Sequence, residues 1–418
     1  MRIPRHDVAR WRNLPVGFRD QTVDEAAARR RLEAGLREVF ARWGYAEVVT
    51  PTLEFLETFL AGGGPGIADR LLKLVDSGGE VLALRPEMTV PLARLAATRL
   101  LPAGPGPLRL AYVAQVFRGQ ERGSGRLREF TQAGIELIGE AGPDADAEVI
   151  ALSADALHAA GLGQPAISVG HAGFVRGLVA TLSEETAEIV RDRLYRKAFA
   201  DLDGVVPGGP VRDALRQVPV LRGGEALERA RTLAVTPESR EAVEVLRDVL
   251  DRVKVHAPAV RVEVDLSLIR DFDYYSGTVF EAHTGRAGMP LLGGGRYDGL
   301  LARFGQAAPA TGFAIGLERV LDAGGSQPGR RPTVVVRYAD GEYGQAVQAA
   351  RGLRETGVAV VLAAVGGRTG VIDPICTVTA VGGAARVAFG GDGEDLTVTL
   401  DAVVDAVRQR IERGTWTP

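Results

Sequence analysis

The chain has 418 residues but a single cysteine, Cys376, so it can form no internal disulfide. That fits a reducing compartment, with the thiol as a small core residue. Lysine is nearly missing too: Lys73, Lys197 and Lys254 are the only three, and arginine supplies the rest of the positive charge. No lysine therefore opens a phosphate-loop signature. An excess of one charge sign is also lacking, with 50 basic against 53 acidic residues and a formal net charge of -3. No global positive field exists to gather a polyanion, although clustered arginines could still do so locally. No run approaches 18 apolar residues, and residues 1–15 lack an apolar leader core, so a soluble, cytoplasmic protein is expected. The histidines His6, His158, His171, His256 and His283 show no metal-ligand spacing, so neither a metal nor a cofactor is expected. The glycine-rich run 381–393, VGGAARVAFGGDG, lacks the G-x-G-x-x-G of a dinucleotide turn.

What is present is a chain long enough for two or three domains of about 150 residues. Thr22 with Glu25 forms a capping box, and Leu32, Leu36, Val39, Phe40 and Trp43 make an apolar stripe, so a helix is predicted over 22–43 with Gly44 ending it. A strand over 45–49 follows. Breaker clusters at 61–66 and 101–107 read as surface loops. From about 167 to 258 the pattern is mostly helical, with clear helices over 183–199 and 236–256. Residues 323–332 read as a linker, and 333–418 as a small α/β domain with strands at 333–338, 358–365, 386–389 and 396–400 and helices at 344–355 and 401–413.

The richest stretch is 116–139, VFRGQERGSGRLREFTQAGIELIG. Alternation with period two sends Arg128, Gln132 and Glu136 to one face and Leu127, Ile135 and Leu137 to the other. A pocket wall and a solvated edge strand both produce that pattern. Gly134, between Gln132 and Glu136, is expected to leave the backbone open to a small ligand.

This stretch resembles motif 2 of the class II aminoacyl-tRNA synthetases of the histidyl type. GYAEVVTPTLE at 44–54 resembles motif 1, LRPEMT at 84–89 the histidine-site segment, and TGFAIGLER at 311–319 motif 3. IRDFDYYSGTVFE at 269–281 and GGGRYDGL at 293–300 resemble the two histidyl signature segments. The resemblance implies an α+β fold: a class II synthetase-like antiparallel sheet flanked by helices over 1–322, a helical insertion at about 167–258, and a C-terminal domain similar to a degenerate anticodon-binding domain. It also implies a homodimer through motif 1, although an ordinary core helix explains the periodicity of 22–43 equally well.

Departures from the synthetase pattern separate scaffold from chemistry. Gln120 stands where the family carries a glutamate near ATP, and Asp271 follows Arg270 where a glycine is usual. A carboxylate there would oppose developing phosphate charge unless it faces away. The texts at 14–26, 196–204 and 218–230 resemble instead the synthetase-like paralogue that serves as regulatory subunit of ATP phosphoribosyltransferase. That resemblance implies a non-catalytic protein that takes L-histidine as effector, pairs with a short catalytic subunit in a hetero-oligomer, and regulates the first step of histidine biosynthesis. The alternative is an active histidyl-tRNA synthetase.

By resemblance, Glu87, Thr89 and Gln132 would hold an amino group, Glu136 with Tyr274 or Tyr275 an imidazole, and Arg118 or Arg270 a carboxylate. Arg118, Gln120 and Arg319 are the residual ATP-site candidates. Simpler readings pair Glu87 with Arg85, and Arg118 and Arg319 with Glu121 or Glu318. Over 331–418, nine arginines meet ten acidic residues without one lysine, and Tyr338, Tyr343, Phe389 and Trp416 are scattered, so tRNA is not an expected partner.

Overall fold

A computed structural model describes residues 12–63, 67–104, 106–119, 127–163, 166–195, 198, 202–268, 274–283, 290–325, 333–369, 374, 376–381, 384–389, 395–399 and 402–412. The chain divides into two compact units, Met1–Gln327 and Pro328–Pro418. The first runs α1 (Val23–Arg42), β1 (Ala46–Glu47), β2 (Leu53–Phe55), α2 (Leu56–Gly62), β3 (Leu72–Val75), β4 (Val81–Leu84), α3 (Thr89–Leu95), α4 (Leu101–Ala103), β5 (Leu108–Phe117) and β6 (Glu129–Ile138). It continues through α5 (Pro143–Ala159), β7 (Ala166–His171), α6 (Ala172–Val179), α7 (Glu184–Tyr195), α8 (Pro210–Gln217), α9 (Ala226–Leu233), α10 (Pro237–His256), β8 (Val262–Val264), β9 (Thr278–His283), β10 (Leu292–Arg296), β11 (Ala310–Gly316) and α11 (Leu317–Asp322).

Its main sheet has eight strands in the order β1-β5-β6-β11-β10-β9-β7-β8. The six central strands pair antiparallel, while β1 on β5 and β8 on β7 pair parallel at the two edges. One face of β6 presents Ala133, Ile135 and Leu137 to a core shared with Leu36, Phe40 and Ile150. The other face carries Gln132, Gly134 and Glu136, the alternation expected from the sequence.

Local chemistry explains why the flanking helices form. Thr22 and Glu25 close the capping box at 2.7 and 3.5 Å, α1 buries Leu32, Leu36, Val39 and Phe40, and Gly44 turns the chain at φ 81. Thr236 caps α10 with Ser239 in the same reciprocal manner, with Pro237 opening the helix. The strand expected over 45–49 shortens to the two residues of β1. The stretch expected to be mostly helical from 167 begins instead with β7, because Ile167 and Val169 alternate into the core and pair with β9. Helices take over at Ala172.

The second unit runs β12 (Thr333–Tyr338), α12 (Tyr343–Glu355), β13 (Ala359–Ala364), β14 (Cys376–Val381), β15 (Ala384–Phe389), β16 (Leu396–Thr399) and α13 (Val403–Glu412). The sheet order is β13-β12-β14-β15-β16, with β12 parallel to both neighbours and β14 to β16 antiparallel. Val334, Val336, Leu353, Cys376, Val378 and Val407 share its core. The strand β14 was not evident from the sequence, since glycine-rich text follows it.

Candidate functional site

A cavity of about 820 Å³ lies on the polar face of β6. That volume is ordinary for a small-molecule site. Glu87, Thr89, Arg118, Gln132, Glu136, Tyr274, Tyr275 and Arg319 all line it. Two candidates, Arg270 and Gln120, lie outside the described residues, as do Asp271 and Glu121. Arg128 does not line it; its side chain occupies the space in front of Gly17, and its amide donates to the Gly17 carbonyl at 2.7 Å.

Register builds the floor. Glu136 on β6 stands opposite Gly312 on β11, which stands opposite Gly295 on β10. A side chain at Gly312 would overlap the Glu136 carboxylate, so the bare backbone there is what gives the acid its room. The expectation for Gly134 fails: a Cβ there would meet the ring and hydroxyl of Tyr112 and the Phe313 carbonyl. Tyr112, opposite Gly134 in the β5 register and fully buried, already fills that space. Gly134 admits a protein side chain, where an opening to ligand was expected.

Glu136 is buried and accepts a hydrogen bond from the Tyr297 hydroxyl. Burial pushes its pKa up to about 8; the bonds from Tyr297 and Thr89 oppose the shift, and the charge of Glu87 adds to it. Glu87 accepts from the Thr89 amide at 2.6 Å and the Val90 amide at 3.0 Å, so it caps the start of α3 as well as lining the cavity. Desolvation raises its pKa, against those two amides and Arg118. The pairing of Glu87 with Arg85 is not made. Arg85 instead donates to the carbonyls of Gln115 and Thr50, each at 2.8 Å, tying the segment before α3 to β5.

Gln132 is buried, and its Oε1 has no hydrogen-bond partner among the described residues. A buried amide oxygen in that state calls for a donor, and a cation is the strongest one. Arg118 donates to the Pro86 carbonyl at 2.8 Å and its guanidinium sits 5.0 Å from the Phe130 ring centroid. Arg319 donates to the Pro290 carbonyl at 2.7 Å. Its neighbour Glu318 takes the Thr131 amide on both oxygens, at 3.0 and 2.9 Å, so the described bonds of Glu318 fasten motif 3 to β6.

Aromatic rings close one side. Tyr274 stacks on Tyr297 at 5.5 Å between centroids and meets Tyr275 edge-on at 4.9 Å. Tyr297 lies within GGGRYDGL and was given no role from sequence, although its position beside Arg296 in a signature segment was the available signal. Arg191 and Asp192 of α7 also reach the cavity. No local pattern announces them, because they arrive through tertiary packing. Behind the wall, Arg296 pairs with buried Asp146 at 2.8 Å, and Asp146 also accepts from Thr278 at 2.6 Å.

The fold and this cavity define a class II aminoacyl-tRNA synthetase-like protein of the histidyl type, and the histidyl-tRNA synthetase family matches residues 17–320. An ATP phosphoribosyltransferase regulatory subunit from Moorella thermoacetica is 42% identical over 356 residues, covering 84% of this chain and 91% of the relative. One from Geobacillus kaustophilus is 38% identical over 361 residues, covering 84% and 91%. A solved structure from Bacillus halodurans, described as an ATP phosphoribosyltransferase regulatory subunit/histidyl-tRNA synthetase, superposes with TM-score 0.78 at 34% identity, covering 86% of this chain and 94% of that one. Histidyl-tRNA synthetase from Nostoc shares the fold, with TM-score 0.77 at 22% identity over 95% of this chain and 99% of that one. The chain belongs to the histidyl-tRNA synthetase-like family of ATP phosphoribosyltransferase regulatory subunits. Among the described residues no helix is long and apolar enough to cross a membrane.

Proposed function

We propose that this chain binds L-histidine in the cavity and relays its presence to a short ATP phosphoribosyltransferase catalytic subunit, regulating the first step of histidine biosynthesis without catalysing a reaction itself. The observation that carries the reading is the buried, unpartnered Oε1 of Gln132 sharing one cavity with Glu136, Glu87 and Arg118. A histidine molecule presents an ammonium, a carboxylate and an imidazole, and each needs a complementary buried group. Gln132, Glu87 and Thr89 meet the ammonium, Glu136 with Tyr274 or Tyr275 meets the imidazole, and Arg118 or Arg270 meets the carboxylate. The names of the relatives support the regulatory role and the catalytic partner. A cytoplasmic homodimer within a hetero-oligomer, and no tRNA ligand, complete the proposal.

One observation favours a second reading. Arg118 and Arg319 both line the cavity, where a synthetase would hold ATP phosphates, with Gln120 as the third candidate. Histidine-dependent ATP–pyrophosphate exchange, run beside a thermal shift with histidine, separates the two. A raised Tm without exchange is the expected result. Exchange would establish an adenylating enzyme, and no shift at millimolar histidine would remove the ligand assignment.

A further inference from the structure

The helical insertion does not merely adjoin the cavity; it grips the backbone of the aromatic wall. Arg176 of α6 donates through Nη1 to the Tyr275 carbonyl at 3.2 Å and through Nη2 to the Ser276 carbonyl at 3.0 Å. Its Nε donates to Glu238, in the first turn of α10, at 2.7 Å. One guanidinium therefore joins three segments that are far apart in sequence. The Ala172 amide, at the start of α6, adds a bond of 2.9 Å to the Gly277 carbonyl. From the opposite side the Ser276 amide donates to the Arg296 carbonyl at 2.8 Å, and the Ser276 hydroxyl accepts from the Asp298 amide at 2.9 Å. The short segment carrying Tyr274 and Tyr275 is thus clamped between the insertion and the strand that delivers Tyr297.

We infer that Arg176 is a positioning residue that holds the tyrosine wall against Tyr297, the hydrogen-bond donor to Glu136, and passes the occupancy of the cavity to α10 through Glu238. The geometry of arginine suits this role. Its planar fork can serve two carbonyls and a carboxylate at once, whereas a lysine ammonium is a single point that cannot span them. A ligand ordering Tyr274 and Tyr275 fixes the two carbonyls, and fixed carbonyls hold the guanidinium in line with Glu238. The end of the relay is a helix of 20 residues, long enough to carry a displacement well away from the cavity. Coupling of this sort is reciprocal, so whatever engages α10 must change ligand affinity by the same factor.

The inference rests on the histidine reading, and its test keeps the two apart. Hydrogen exchange of the full chain is followed with and without L-histidine, alongside calorimetric affinity, for the wild type, Arg176→Lys and Glu238→Gln. In the wild type histidine is expected to slow exchange both at 274–279 and at 240–247. Arg176→Lys is expected to bind histidine about tenfold more weakly and, at saturation, to keep the slowing at 274–279 but lose it at 240–247. Glu238→Gln is expected to hold affinity within about twofold while also losing the remote effect. A residue that only supported the fold would lower Tm without uncoupling the two segments. Remote slowing that persists in saturated Arg176→Lys overturns the relay. If the wild type binds no histidine, the functional reading and the relay both fall. The positioning claim is then decided without ligand: faster exchange of the Ser276 and Ala172 amides in Arg176→Lys supports it, and unchanged exchange overturns it.

Discussion

The first unit buries Arg85, Gln132, Glu136, Asp146, Arg296 and Glu318, whereas the buried side chains described in the second, from Val334 to Val407, are apolar but for the thiol of Cys376. Burying polar groups is unfavourable unless they find partners. In the first unit most of them do: Arg85 meets two carbonyls, Asp146 meets Arg296, and Glu318 meets Thr131. Among these six the exception is the amide oxygen of Gln132, at the cavity; the buried hydroxyl of Thr50 likewise finds no hydrogen-bond partner among the described residues. A packed apolar interior such as that of the second unit is sufficient for stability. The contrast teaches where to look for binding, because polar interior atoms are retained against a cost only where something makes use of them.

The sharpest test of that contrast is to damage each unit and measure both properties. Leu353→Ala opens a cavity in the second core and is expected to cost about 3 kcal/mol of that unit's stability while leaving histidine affinity unchanged. Exchange protection of β12 and β14, with calorimetry in parallel, reads both. Glu136→Ala is the mirror experiment. It is expected to weaken histidine at least about a hundredfold, near 2.8 kcal/mol, with little loss of Tm, since it removes an acid whose charge burial resists. Gly312→Ala should follow at about tenfold, because the added methyl displaces the Glu136 carboxylate and presses on the Ile135 carbonyl of β6. Unchanged affinity in either variant would break the assignment of the cavity floor.

Acidity separates the units further. Glu136 keeps its proton up to about pH 8 in the fold but would lose it near its ordinary 4.5 in the unfolded chain. The native state therefore binds more protons between those values, and the first unit loses stability as pH rises through them; Glu87 acts in the same direction. His171 works oppositely. Burial, then Arg176 and Arg296, push its pKa down from 6.5 to about 4, so stability falls as pH drops through that interval. The two windows overlap between pH 4.5 and 6.5, where the opposed slopes offset, so Tm of the first unit should be nearly level there and fall from pH 6.5 to 8, and Glu136→Gln should flatten that fall. The second unit should change less, since burial pushes the thiol of Cys376 up to about 12, beyond the range. The smallest effect belongs to its exposed Arg386–Asp395 pair, where Asp395→Asn should cost less than about 1 kcal/mol.

Much of this was legible beforehand, and the illegible parts share a cause. The capping box of α1, the alternation of β6 and most strands of the second unit are local patterns, and local patterns survive in one dimension. The polar cavity row was readable because Gln132 and Glu136 lie on one strand, while Glu87, Tyr274 and Arg319 came through family-like segments. Arg191, Asp192 and the grip of Arg176 arise where helices fold back over the sheet, and no spacing encodes that approach. Gly134 misled because a missing side chain records only that space is needed, not which neighbour takes it; Tyr112, on the adjacent strand β5, was the answer.

The pairing of Gly312 with Glu136 has a consequence for ancestry. The two positions lie on different strands and in different motifs, yet neither can drift alone: an alanine at 312 evicts the acid, and an acid newly acquired at 136 needs the glycine already in place. Any route between a chain with this floor and one without it must pass through glycine at 312 with a smaller residue at 136. The order of inheritance is therefore written into the sheet, and a descendant that had abandoned the acid would still be held to glycine at 312 by the Ile135 carbonyl, which a Cβ there would meet at 2.3 Å.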